Sequence, residues 1–317
     1  MRLLLQALLV LGTLSCTSSP APASKFLGNV LGSGVRAPDR DAAFLTYWDQ
    51  VSPGNVGKWG VVERDRDRLD WSGLDSVYRF SRDHRMPFKE HVLVWGNQQP
   101  EWIGSLPPEE QRREVEDWIR SLCERYPDAE LIDVVNEPLH IPPKQYKKAL
   151  GGDGKTGWDW VVWSFETARR HAPKAVLILN EHSLLKDDVK LSRFLEIVRI
   201  LKTRGLIDAV GLQGHFLEHT PARDVQRRLD TVAAEGLPVY ISEFDLNLAD
   251  DSEQLQRMQE LFPVFWGHPA VRGVTLWGYK EGQIWRKDAY LLRGDGTERP
   301  ALRWLRSYVG KGLVPLP

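Results

Sequence analysis

The chain has 317 residues, 42% of them hydrophobic and 27% charged, enough for one large domain or two ordinary ones and too evenly mixed for a disordered or fibrous protein. A formal net charge of −1 without long runs of like charge excludes the electrostatic footprint of a nucleic-acid binder. Small neutral or mixed ligands fit this balance better.

The first sixteen residues, MRLLLQALLVLGTLSC, place Arg2 before an apolar run over 3–14 and end in small residues. That is the pattern of an export signal, too short to span a bilayer. Cys16 resembles the lipid-accepting cysteine of a bacterial lipoprotein box, although Thr13 stands where that box prefers an aliphatic residue, so lipid anchorage and plain secretion both remain open. Residues 17–24 read as a Ser/Pro/Ala tether, which leaves 25–317 as the globular part. Membrane contact is expected only through Cys16, and a monomer is expected. Cys123 lies on an apolar helical face in "WIRSLCERY" and reads as a buried, inert thiol.

From residue 25 onward, eight short apolar runs are predicted as strands: 26–30, 48–52, 87–95, 130–137, 175–181, 208–215, 237–244 and 272–278. Amphipathic stretches separate them. "PPEEQRREVEDWIRSLCERY" begins with Pro and acids and ends on basic residues, and "TPARDVQRRLDTVAAEG" closes on Gly236, both as helices prefer. Eight strand-then-helix units without a break in composition predict a single closed (β/α)8 barrel, an α/β fold whose chemistry sits at the carboxyl ends of its strands.

Those ends carry polar and aromatic groups: His91 and Trp95, Asn136 and Glu137, Gln213 and His215, Glu243, and Trp277. A carboxylate at such a mouth costs desolvation free energy, so two of them, Glu137 and Glu243, form the candidate reactive pair. Glycoside cleavage needs one acid to protonate the leaving oxygen and one carboxylate to attack the anomeric carbon or activate water. Asn136 beside Glu137 suits a sugar hydroxyl next to the reacting carbon. Thirteen tryptophans fit the same chemistry, since sugar rings stack on aromatic faces, and core packing accounts for part of them. Each residue also has a plainer alternative: a glutamate paired to an arginine, a histidine satisfied in the core, a tryptophan that only packs.

In family order, "HVLVW", "DVVNEP", "GLQGHF" and "YISEFD" resemble glycoside hydrolase family 10, the endo-β-1,4-xylanase family of retaining (β/α)8 enzymes, from about residue 27 to 304. The resemblance implies Glu137 as acid/base and Glu243 as nucleophile, with Asn136 on the hydroxyl at carbon 2 of the reacting sugar. It implies His215 as a hydrogen-bond partner of the nucleophile and Gln213 as its neighbour on the glycone side. His91, Trp95 and Gln98 match the third-strand residues, Asn55 and Lys58 the glycone-binding pair, and Trp277 and Trp285 the roof over the reacting sugar. Retention implies carboxyl groups about 5 to 5.5 Å apart and a Glu137 pKa raised by its apolar site and by Glu243.

Three departures stand out. Gly54 replaces a glutamate, Gly96 replaces a histidine, and His182 follows Glu181 where the family favours tyrosine. The two glycines are expected to enlarge the glycone side. That leaves room for a related β-1,4-glycanase or transglycosylase, or for a glycan-binding protein without turnover, beside the polysaccharide-cleaving xylanase. No Cys/His cluster has metal spacing, so no metal or cofactor is expected.

Overall fold

The computed structural model describes residues 25–32 and 38–310; the signal, tether and Cys16 readings lie outside them. Eight parallel strands follow the predicted runs: β1 Phe26–Leu31, β2 Gln50–Pro53, β3 Lys89–Val94, β4 Leu131–Asn136, β5 Val176–Glu181, β6 Ala209–Gly214, β7 Val239–Phe244 and β8 Val271–Leu276. Their order is β2-β1-β8-β7-β6-β5-β4-β3. Between the outer pair, one parallel bridge from Val51 to Phe88 closes the ring. This is the (β/α)8 barrel expected from the alternation. Strands β3, β4 and β6 are buried along their whole length, as a parallel sheet covered by helices requires.

The helices are α1 Pro38–Tyr47, α2 Trp59–Val62, α3 Ser72–Asp83, α4 Pro108–Arg125, α5 Asp159–His171, α6 Asp188–Thr203, α7 Ala222–Ala233, α8 Asp251–Gly267 and α9 Pro300–Tyr308. Helix α4 shows how they form. Pro108 opens it with Glu109 and Glu110 in the first turn, and Arg125 lies in the last. Its buried residues Val115, Trp118, Ile119, Leu122 and Cys123 recur at helical spacing, and Trp118 donates its indole N–H to the Leu93 carbonyl of β3 at 2.9 Å. Cys123 is buried there, its thiol pushed up to about 12 by burial, as expected for an inert group.

The barrel interior is layered. Leu131, Ile178 and Ala209 plug one end with Phe26, Val176 and Tyr240 against them. Above this plug lie buried polar side chains: Lys89 donates to Asp133 at 3.1 Å and to the Ser242 carbonyl at 3.4 Å, and Ser242 donates to Asn180 Oδ1 at 2.6 Å. Gly211 makes room for that layer, since a Cβ there would meet Asn180 Oδ1 at 2.4 Å. The polar groups at the ends of β4 and β6 and near the end of β7 thus have a fixed polar floor beneath them.

Candidate active site

A cleft of about 690 Å³ opens at the carboxyl ends of the strands. Ten predicted residues line it: Asn55, Lys58, His91, Trp95, Gln98, Asn136, Glu137, Glu243, Trp277 and Trp285. Gln213 and His215 stand behind this lining, 1% and 4% exposed, and spend their side chains on the carboxyl groups. Gln213 Nε2 donates to both Asn136 Oδ1 at 3.1 Å and Glu137 Oε1 at 3.0 Å.

Glu137 follows the last residue of β4 with φ of +53°, a left-handed conformation that is rare for a side chain of this kind. Its N–H donates to the Asn180 carbonyl at 2.9 Å, and its carbonyl accepts from the N–H groups of His140 and Ile141 at 3.1 and 2.9 Å. The carboxyl accepts from Gln213 Nε2 at 3.0 Å on one oxygen and from Trp95 Nε1 at 3.2 Å on the other. Burial raises its pKa above the ordinary carboxyl value, and the nearby Glu243 adds to this against the opposing Gln213 hydrogen bond.

Glu243, in β7, has the reverse environment. Burial alone would raise its pKa, but His91, the hydrogen bond and charge of His215, and Lys89 outweigh it and hold the group well below the carboxylate range. His215 is the cation at close range: its Nε2 lies 3.3 Å from Glu243 Oε2 and its Nδ1 lies 2.7 Å from Asp245 Oδ2. Burial pushes the His215 pKa down, yet Asp245 and Glu243 together push it up to about 9. The His91 pKa is pushed down by burial and then by Lys58, against the pull of Glu243 and Asp133; its Nδ1 is 2.8 Å from Asp133 and its Nε2 is 4.0 Å from Glu243. One carboxyl therefore favours its proton and the other its charge, which is the division of labour that acid and nucleophile require.

The Asn136 amide is oriented by its neighbours. Its Oδ1 accepts from Asn180 Nδ2 at 3.0 Å and Gln213 Nε2 at 3.1 Å, which leaves the amide hydrogens for the cleft. Lys58 is 3% exposed, with its ammonium 5.0 Å from the Trp95 ring and 5.6 Å from the Trp277 ring. Burial pushes its pKa down to about 8 against the attraction of Glu243. Asn55 Oδ1 accepts from Gln98 Nε2 at 3.1 Å. Trp285 is 56% exposed and is tied down by its indole N–H, which donates to Asp245 Oδ2 at 2.9 Å.

Several contributors were not legible beforehand. Asp245 joins His215, Trp285 and Arg286, whose guanidinium lies 2.6 Å from its other oxygen. Asn180 donates to Glu243 Oε1 at 2.8 Å as well as to Asn136. Glu181, fully buried, accepts from the N–H groups of Leu139 and His182 at 2.7 Å each and is pushed up to about 7 by burial. A signal for this pair existed: "LILNE" repeats the Asn-Glu ending of "DVVNE", and Asn136 and Asn180 are register partners.

The two glycines differ. Among the described residues, a Cβ on Gly54 would make only ordinary contacts, with Leu31 O at 3.6 Å and Gly32 Cα at 3.9 Å, and Gly54 lines the cleft. At Gly96 the expectation of extra room fails. A Cβ there would meet Ile141 O at 2.3 Å and Pro142 O at 2.4 Å, because the loop after β4 runs against this glycine and fills the space. Gly96 N–H donates to that same Ile141 carbonyl at 3.1 Å.

Comparisons with known proteins agree with this fold. The family model for glycosyl hydrolase family 10 matches residues 21–308. Endo-1,4-beta-xylanase B of Cellvibrio japonicus is 41% identical over 287 residues, 89% of this chain, and the chain spans 45% of that relative's length. Endo-1,4-beta-xylanase A of Phanerodontia chrysosporium is 25% identical over 308 residues, which cover 93% of this chain and 74% of that one. The crystal structure of xylanase 10B from Thermotoga petrophila RKU-1 in complex with xylobiose superposes with a TM-score of 0.81 at 22% identity, covering 91% of this chain and 94% of the other, a likeness of fold.

Proposed function

The chain belongs to glycosyl hydrolase family 10, and from that premise we propose that it is an exported, retaining endo-β-1,4-xylanase with Glu137 as acid/base and Glu243 as nucleophile. The opposite environments of these two cleft carboxyls carry the reading. Glu137 begins protonated and gives its proton to the glycosidic oxygen while Glu243 attacks carbon 1. Asn136 donates to the hydroxyl at carbon 2, a bond that strengthens as charge develops. Once Glu243 is esterified its negative charge is gone, the pKa of Glu137 falls, and the same group deprotonates the incoming water. His215, backed by Asp245, keeps Glu243 ionised for the first step. The signal-like residues 1–16 support export, to secretion or to a lipid anchor at Cys16.

The missing side chain at Gly54, which lines the cleft, favours a second reading within the same chemistry, a β-1,4-glycanase with relaxed glycone preference. Hydrolysis of xylan, aryl β-xylobioside and aryl β-cellobioside by the purified protein, beside Glu243→Ala, separates the two. Xylan cleavage lost in the variant supports the xylanase. Preference for the cellobioside supports the second reading, and no turnover by folded wild type rejects both.

A further inference from the structure

Lys25 marks where the chain enters the barrel. Its ammonium donates to the Trp266 and His268 carbonyls at 2.5 and 2.6 Å, around the end of α8 and just before β8. Phe26 follows, paired with Gly273 near the start of β8 and packed against the plug. This is the amino end of the strands, opposite the cleft.

Helices α8 and α9 finish at the same end and bring an aromatic corner with them. Trp266, one residue before the end of α8, stacks on Phe262 at 5.5 Å, and Tyr308, the last residue of α9, stacks on Trp304 at 4.8 Å. Phe262 lies edge-on to Trp304 at 6.4 Å and to Tyr308 at 5.8 Å, so the four rings form one cluster. Phe262 is buried, Trp266 and Trp304 are half-buried, and Tyr308 is 42% exposed. The segments 261–272 and 300–311 contain no Asp or Glu, while they include Arg272, Arg303, Arg306 and Lys311; Arg306 is paired with Glu298. Trp and Tyr on an acid-free surface are the composition that settles at the headgroup level of an anionic bilayer.

The chain upstream of Lys25 sets how far this corner can stand from a lipid on Cys16. From Cys16 to Lys25 is nine residues, a reach of at most about 32 Å. A folded domain of about 290 residues has a radius of gyration of about 19 Å and measures about 49 Å across. The reach is shorter than the domain, so a lipid on Cys16 holds the base of the barrel near the bilayer and the cleft cannot turn onto it. We propose that the lipid-anchored protein docks on the bilayer surface through Trp266, Trp304 and Tyr308 at the base of the barrel, with the cleft facing away toward the polysaccharide. The inference rests on the lipid-anchor form of the export reading and is independent of the xylanase chemistry.

The test uses the full chain made in a bacterial host that lipidates exported cysteines, weighed intact and placed in vesicles of phosphatidylethanolamine and phosphatidylglycerol. A polarity-sensitive fluorophore is attached through Ser307→Cys, exposed beside Tyr308, or through Gln283→Cys, exposed at the cleft; Cys123 is buried and does not compete. With a lipid on Cys16, the label at 307 is expected to shift to the blue and to be quenched by brominated lipid, and the label at 283 to do neither. Tyr308→Ser is expected to weaken the docked state about tenfold, the worth of burying one aromatic side chain. Equal solvent exposure of the two labels on a lipidated protein overturns the docking and leaves the anchor standing. A label at 307 already shielded in Cys16→Ala protein without vesicles puts residues 311–317 or a second copy of the chain on the corner, and also overturns the docking. No lipid on Cys16 overturns docking and anchor together and leaves the xylanase reading untouched.

Discussion

Replacing His215 with glutamine is expected to remove a pH-dependent part of the protein's stability. The folded His215 pKa is about 9 against an ordinary 6.5, raised by Asp245 and Glu243 although burial opposes it. A raised folded pKa means stability fully present below 6.5 and lost as pH climbs through about 9. At 1.36 kcal/mol for each pH unit, the loss is about 3 kcal/mol. Other groups titrate in the same window. Glu181 and Glu90, pushed up to about 7 and about 8 by burial, lose stability in the same direction, while Lys58, pushed down to about 8, gains it at higher pH. They are present in both proteins, so the informative quantity is the difference between wild type and His215→Gln in urea unfolding at about pH 6 and about pH 9.5. Wild type should lose about 3 kcal/mol more than the variant over that range. A difference that stays constant with pH would refute the ion-pair account of how Glu243 is kept charged.

Glu137→Ala should cut turnover of substrates with poor leaving groups by about 10²- to 10⁴-fold. Aryl glycosides whose phenol leaves without a proton should retain most of their first-step rate, which stopped-flow release of the phenol measures. Gly54→Glu should leave unfolding within about 0.5 kcal/mol of wild type, because a Cβ there meets the described residues only at ordinary contact distances; KM for unbranched xylo-oligosaccharides should fall about two- to tenfold if the new carboxylate meets a sugar hydroxyl. Gly96→Ala should instead destabilise by about 1 to 3 kcal/mol in a denaturant titration, since the loop after β4 must move to admit a methyl group.

The barrel was legible because short, largely apolar runs alternate with amphipathic stretches, and some of the runs stop abruptly in polar groups, as "ELIDVVNE" does at Asn136 and Glu137. The cleft residues followed from those endings together with the family motifs. What the sequence hid was the pairing across the barrel. Asp133 reads as an interruption in an apolar run, yet it accepts from Lys89 at 3.1 Å and faces His91, both on the adjacent strand. Asp245 looks like the first residue of a loop, and only folding brings it to Trp285 and Arg286 forty residues on. Gly96 misled for the same reason. A missing side chain signals space only when nothing else occupies it, and here the backbone of Ile141 and Pro142 does.

The central claim, that Glu243 attacks the sugar with Glu137 supplying the proton, is tested most directly by trapping. The protein is incubated with a 2-deoxy-2-fluoro-β-xylobioside carrying an activated leaving group, then weighed intact and digested. One fluoroxylobiosyl group on the peptide containing Glu243, absent in Glu243→Gln, is the predicted result. An adduct on any other residue, or none on a folded protein that turns over the non-fluorinated substrate, would contradict it.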